Sequence, residues 1–192
     1  MFRLMRNIHL GLGLLFVGMA LIFGLSSLVI VFRPRLETKP VDSERQVNIS
    51  AEAAASPRAA ARELMAEHGL AGDLRQIQED GDTVKFRIVR PGETAEVEYS
   101  RSNGQATVKL RRQGALETMV QLHTNHGLWH DYVPSNLWAA ISLLTSLGLL
   151  LLGVSGIYLW FSFHKERVIG GWLLGLGLAF SLVVLVLTRL EQ

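Results

Sequence analysis

Six histidines stand in a chain of 192 residues that has no cysteine, so any metal or cofactor chemistry has imidazole and not thiolate to work with. His9 opens one charge-free stretch and His164 closes another. One imidazole from each of two helices is what a six-coordinate haem b needs as axial ligands, so this pair is a candidate haem site. Both rings would equally suit polar groups placed at the water boundary, among lipid headgroups. His123, His126 and His130 form a second group. If 120–131 is helical, spacings of three, four and seven put all three on one face, within about 60° of one another. Two or three such imidazoles could hold a divalent transition metal. They could not sandwich one haem, because ligands on one helix face cannot reach both sides of the ring; two copies of the chain could. The alternative is an interfacial segment over 115–137 that Trp129, Tyr132 and Trp138 anchor at headgroup level. His68 ends an expected helix, where the helix dipole explains it without further function.

The elements that must position these rings follow from the charge map. The chain is 49% hydrophobic and 19% charged, with 19 Lys and Arg against 17 Asp and Glu. Residues 8–32, 138–163 and 168–188 contain no Asp, Glu, Lys or Arg. Each reaches the roughly 20 residues a helix needs to cross a bilayer's hydrocarbon core. Three transmembrane helices disfavour a soluble domain, a secreted enzyme or a nucleic-acid module, and a net charge of +2 suits no polyanionic partner. Spans without Asp, Glu, Lys or Arg disfavour a pump or transporter. No nucleophile–base pair, phosphate loop or paired-carboxylate motif stands out. A non-enzymatic role is therefore favoured, and any activity would be that of part of a membrane oxidoreductase. The missing cysteines rule out disulfides, iron–sulfur clusters and zinc ribbons.

The first span has the basic start of a signal peptide, but its apolar run continues beyond the usual 7–15 residues or so, so an uncleaved anchor is expected. Residues 33–137 form a segment too long for its charge to decide orientation. The short segments carry Arg3, Arg6, Lys165 and Arg167 against Arg189. This expects 1–7 and 164–167 inside, and the long domain and the tail 189–192 outside. A bilayer core of about 30 Å then separates His9 from the His123 group, so no single site uses both. Gly171, Gly175 and Ala179, with Ala20 and Gly24, form small-residue rows that let helices approach closely. The three helices of one chain could pack through them, or two copies of it.

Between the first two spans, 33–55 reads as a linker. Ser56-Pro57 then reads as an N-cap with proline at the first helical position, and the helix Pro57–His68 is stopped by Gly69. After it the period becomes two: Val84, Phe86 and Ile88, then Ala95, Val97 and Tyr99, then Ala106, Val108 and Leu110 alternate with polar residues. Pro91-Gly92 and Asn103-Gly104 mark the turns, and 74–79 is a candidate earlier strand. With two-residue loops, Arg87 faces Glu96 and Lys85 faces Glu98, and across the second hairpin Glu96 faces Arg111 and Glu98 faces Lys109. The apolar stacks would be Phe86–Val97–Leu110 and Val84–Tyr99–Val108. The expected architecture is an α+β membrane protein, with three transmembrane helices and a small helix-plus-antiparallel-meander domain over 56–114 between the first and second. A domain that small is near the lower limit for independent folding, so support from membrane lipids or a protein partner is expected.

The N-terminal stretch with His9, Gly13, Leu14 and Ser26-Ser27 resembles the first helix of the PepSY-associated transmembrane family. Leu122-His123 and Ser155-Gly156-Ile157-Tyr158-Leu159-Trp160 resemble its later helix. The helix and meander between them are similar to a PepSY domain, with Glu98-Tyr99 and Ser102-Asn103-Gly104 at its closing strand and turn but without the usual Asp. The resemblance implies a bacterial inner-membrane protein with an extracytoplasmic PepSY domain. Some larger members of that family are linked to siderophore-iron reduction and carry haem between their helices. The likeness of PepSY domains to peptidase propeptides implies an inhibitory or chaperone-like binding role.

Overall fold

The computed structural model describes residues 1–36, 39–125, 127–163 and 167–190, with the side chains of 33–36 excepted. The chain divides into two compact units. One holds Met1–Gly18 with Leu144–Gln192, and the other Met19–Leu143.

The second unit carries the sheet. Its strands are β1 (Val41–Asn48), β2 (Asp73–Asp80), β3 (Thr83–Arg90), β4 (Glu93–Ser100) and β5 (Gln105–Arg112), in the order β1-β5-β4-β3-β2. All four pairings are antiparallel. Strands β2 to β5 form the expected meander, and β1 joins its far edge. Helices α2 (Ala51–Ala54) and α3 (Pro57–His68) connect β1 to β2, and so carry the chain from one edge of the sheet to the other. One face of α3 buries Ala60, Ala61 and Leu64 against Val84, Phe86, Ile88, Val97, Tyr99 and Val108 of the sheet. The Tyr99 hydroxyl donates to the Ala54 carbonyl at 3.2 Å, so the polar end of the largest buried ring is satisfied where it meets α2.

Gly69 stops α3 in the left-handed conformation, with φ 67, as expected. Ser56 makes no side-chain cap. It is α2 that has a side-chain cap, the Ser50 hydroxyl accepting from the Ala53 N–H. The end of α3 is also stabilised from β1, where Arg45 donates to the His68 carbonyl at 2.8 Å. Gly72 precedes β2 at φ 147, and a Cβ there would stand 2.5 Å from the Val89 carbonyl oxygen. The backbones approach too closely for any side chain.

Two expectations about the sheet need correction. The stretch 33–55, read as a linker, contains β1 and α2. Across the first hairpin Arg87 faces Glu96 and Lys85 faces Glu98 as expected. Across the second, Glu96 faces Lys109 and Glu98 faces Thr107, so the apolar rows are Phe86–Val97–Val108 and Val84–Tyr99–Ala106. The loop between β4 and β5 holds four residues, not two, because Asp82 gathers it. The Asp82 carboxylate accepts from the Ser100 hydroxyl at 2.5 Å, the Ser102 hydroxyl at 2.8 Å and the Ser102 N–H at 2.9 Å. A shift of two residues keeps each side chain on its face, so the core survived the wrong register.

Those hydrogen bonds, Ser100's first, hold the Asp82 carboxyl below its ordinary 3.8. A depressed folded value means that the stability it adds is present above the unfolded pKa and lost as pH falls through the folded one. Asp82→Asn should therefore lower neutral-pH stability and flatten the loss below about pH 4. Acid titration of the unfolding midpoint for the two proteins measures the difference.

Among the described residues, three helices are long and apolar enough to cross a membrane: α1 (Phe2–Leu36), α5 (Val133–Ser162) and α6 (Arg167–Leu190). Helix α5 begins five residues before the expected span, because Val133 and Pro134 extend its first turn. In the first unit, the Phe2 and Phe163 rings meet edge to face at 5.7 Å. A Cβ at Gly148 would collide with the Phe16 ring, and one at Gly170 with the Trp160 ring, so these two glycines mark close contacts. Within the chain the expected rows do not: among the described residues a Cβ at Gly171, Gly175 or Gly24 would meet nothing within 4 Å, and Ala179 is exposed.

Candidate functional site

His123 lies near the end of the short helix α4 (Ala115–Thr124). Its Nδ1 is 2.7 Å from the hydroxyl of Ser26 on α1, a serine that is 1% exposed. The same hydroxyl lies 2.9 Å from the Phe23 carbonyl. A carbonyl only accepts, so the single serine proton goes to Phe23 and the ring donates its own Nδ1–H to Ser26. In the neutral ring this leaves Nε2 as the free lone pair. Phe23 packs on the His123 ring at 5.2 Å, and Trp138 of α5 donates to the Leu122 carbonyl at 2.8 Å. Helices α1, α4 and α5 are thereby joined around one oriented imidazole.

His9 repeats this arrangement in the other unit. Its Nδ1 is 2.9 Å from the Ser155 hydroxyl, which lies 3.2 Å from the Leu152 carbonyl. The same count of protons makes His9 the donor and leaves its Nε2 free. Gly156 leaves room for the ring, since a Cβ there would stand 3.4 Å from His9 Cε1. A buried oxygen that holds Nδ1–H and leaves the Nε2 lone pair for a metal is how proteins orient imidazole ligands. His164, the expected second ligand, lies outside the described residues.

The three-histidine face called for one continuous helix over 120–131. Helix α4 ends at Thr124, and Asn125 turns to extended backbone at ψ 126, so His123 and His130 do not share a helix. His126 lies outside the described residues. No group of three His, Cys, Asp or Glu that could hold a metal ion occurs among the described residues.

His130 has a different role. Its side chain is 4% exposed, and its Nδ1 is 2.6 Å from an oxygen of Asp73 at the start of β2. Arg75 lies 3.4 Å from the same nitrogen, but a guanidinium only donates, so the shorter contact, to the carboxylate, is the hydrogen bond. The other Asp73 oxygen accepts the Tyr132 N–H at 2.8 Å. Asn136 accepts the His130 N–H at 2.9 Å and donates to its carbonyl at 2.7 Å. His130 Nε2 is buried with no hydrogen-bond partner among the described residues. Asp73 therefore ties the edge of the sheet to the segment that leads into α5. Sequence reasoning missed it, although an acid flanked by Gly72 and an apolar strand residue was a visible signal. Ser26 and Ser155 belong to the family-like motifs, but no spacing in the sequence shows which rings they touch.

The outer face of the sheet is charged and self-matched. Lys85 meets Glu98 at 3.1 Å, Arg87 meets Glu96 at 2.5 Å, and Arg111 meets Asp42 at 3.7 Å. The two edges differ. Strand β2 has a bulge between Arg75 and Gln78, with Gln76 at φ 54. Strand β1 pairs with β5 through eight consecutive residues without a break, and none of its residues is buried. Among the described strands its other side has no neighbour.

Three long apolar helices, with a five-stranded α+β domain between the first and second, define a multi-pass membrane protein. Residues 6–188 match PepSY_TM, the PepSY-associated TM region. The chain belongs to that family. Neither curated proteins nor solved structures gave a match.

Proposed function

We propose that this is a non-enzymatic PepSY module of the bacterial inner membrane, with its N-terminus in the cytoplasm, that binds a protein partner through the β1 edge of its extracytoplasmic sheet. The observation that carries this reading is the contrast between the edges. An unbroken, exposed edge offers a row of backbone donors and acceptors to an incoming strand, whereas a bulged edge refuses one. The outer face is a poorer site, because its charges already neutralise one another. A second copy is a poor occupant of β1, since its two longest two-fold registers, centred on Glu44 or Arg45, set a like charge against its copy. The charge of the short segments supports the orientation.

Photocrosslinking tests this reading. A benzophenone side chain at Ser43 or Gln46 should give one discrete heteromeric adduct in cells, and the same group at Lys85 or Glu96 should give none. Adducts from the face and none from the edge would contradict it.

The free Nε2 of His9 favours a second reading, a haem-binding redox subunit linked to iron acquisition. His9, oriented by Ser155, fits as one axial ligand, and a haem there would supply one-electron transfer. Protein purified from haem-replete cells should then show a Soret band that His9→Ala removes and Ser155→Ala weakens. Colourless protein would end this reading.

A further inference from the structure

Within the sheet-bearing unit, a cleft of about 450 Å³ lies where the sheet meets the first turns of α5. Its walls have opposite chemistry. On the sheet side, Arg90 and Arg112 each reach the single carboxylate of Glu93 at 2.9 Å. Glu93 is 10% exposed at its side chain and Arg112 66%, so the acid is buried while one guanidinium stays at the rim. These three groups carry one more positive charge than negative. On the other side Leu122, Pro134 and Trp138 line the cleft. The Trp138 indole N–H is already committed to the Leu122 carbonyl, so the ring offers apolar surface. Helix α5 continues from this wall into a membrane span, and Trp129 and Val133, just before and at its start, are 95% and 72% exposed.

We propose that this cleft binds an anionic phospholipid of the leaflet next to the sheet domain. The phosphate would sit at Arg90 and Arg112, and the first acyl methylenes against Leu122, Pro134 and Trp138. Guanidinium forks match phosphate oxygens in charge and shape. A soluble anion would use only that half of the site. The apolar wall, which runs into the span, selects a ligand with a chain, and the exposed tryptophan shortly before α5 marks headgroup depth. A lipid held there would fix how the domain stands on the bilayer.

The test uses the full-length protein with Trp129, Trp160 and Trp172 replaced by Phe, so that Trp138 is the only tryptophan. It is reconstituted in phosphatidylcholine vesicles in which a minority lipid, either phosphatidylglycerol or phosphatidylcholine, carries brominated chains. Brominated phosphatidylglycerol should quench Trp138 more strongly, with a preference of about fivefold per basic residue engaged. Arg112→Gln leaves the Arg90–Glu93 pair intact and so keeps the domain folded; it should remove most of the preference. Glycerol phosphate in solution should not compete. Equal quenching by the two lipids, a preference unchanged in Arg112→Gln, or full competition by glycerol phosphate would each overturn the proposal.

Discussion

Phe86→Ala should destabilise the sheet domain by about 3–5 kcal/mol. The ring is 2% exposed. It lies in the central row between the two halves of the sheet's apolar face, opposite Val97 on β4, and meets Tyr99 at 6.1 Å and 70°. Backbone pairing on both sides holds β3 in place, so the neighbours can close only part of the space the ring leaves. Domains of this size have about 5–15 kcal/mol in all, so the loss takes a large share. The spanning helices have no part in this core. Circular dichroism should therefore show β-signal melting many degrees earlier while the helical signal persists. Val41→Ala, at a residue 69% exposed on β1, should change stability by no more than about 0.5 kcal/mol.

Asp73→Ala should cost about 2–4 kcal/mol, because it strands two donors, the buried His130 ring N–H and the part-buried Tyr132 N–H. Asp73 is 7% exposed, so water cannot readily take its place. The damage should be local: the segment before α5 loses its tie to β2, while the α3-sheet core stays. Asp73→Asn separates this account from a simple packing loss. Its amide oxygen can still accept from Tyr132, and its NH₂ can donate to the other tautomer of His130. Asn should therefore recover part of the stability that Ala loses but not all of it, because the other tautomer puts a proton on the buried, unpartnered His130 Nε2. Thermal unfolding of the three proteins gives the comparison, and equal losses for Asn and Ala would contradict the hydrogen-bond account.

The legible parts of this fold were those in which burial leaves a period. Helix α3, with its proline start and Gly69 stop, and the β3–β4 hairpin, with matched charges around a two-residue turn, were readable residue by residue. The β4–β5 register was not, because Asn103-Gly104 resembles a two-residue turn whichever residues Asp82 draws into the loop. Strand β1 escaped for a deeper reason. An exposed edge strand has no buried face to impose alternation, and Val-Asp-Ser-Glu-Arg-Gln-Val-Asn reads as a linker. At the histidines the ring types were visible but their partners were not. Ser26 and His123 are 97 positions apart, and Ser155 and His9 are 146 apart. Only tertiary packing brings them together. The three-histidine face was a helix carried too far; Asn125, a residue that favours helix ends, was the available warning.

Hydrogen exchange at β1 tests the proposed function most directly. The tagged full-length protein is compared in native membrane vesicles and after purification. An edge open to a partner strand predicts fast exchange at the alternate amides of Val41–Asn48 that point away from β5 in the purified protein, slowed at least about tenfold in the native membrane, a difference worth about 1.4 kcal/mol of protection. Strand β4, paired on both sides in either state, should exchange alike in the two samples. Equal exchange of β1 in both would contradict a strand-adding partner.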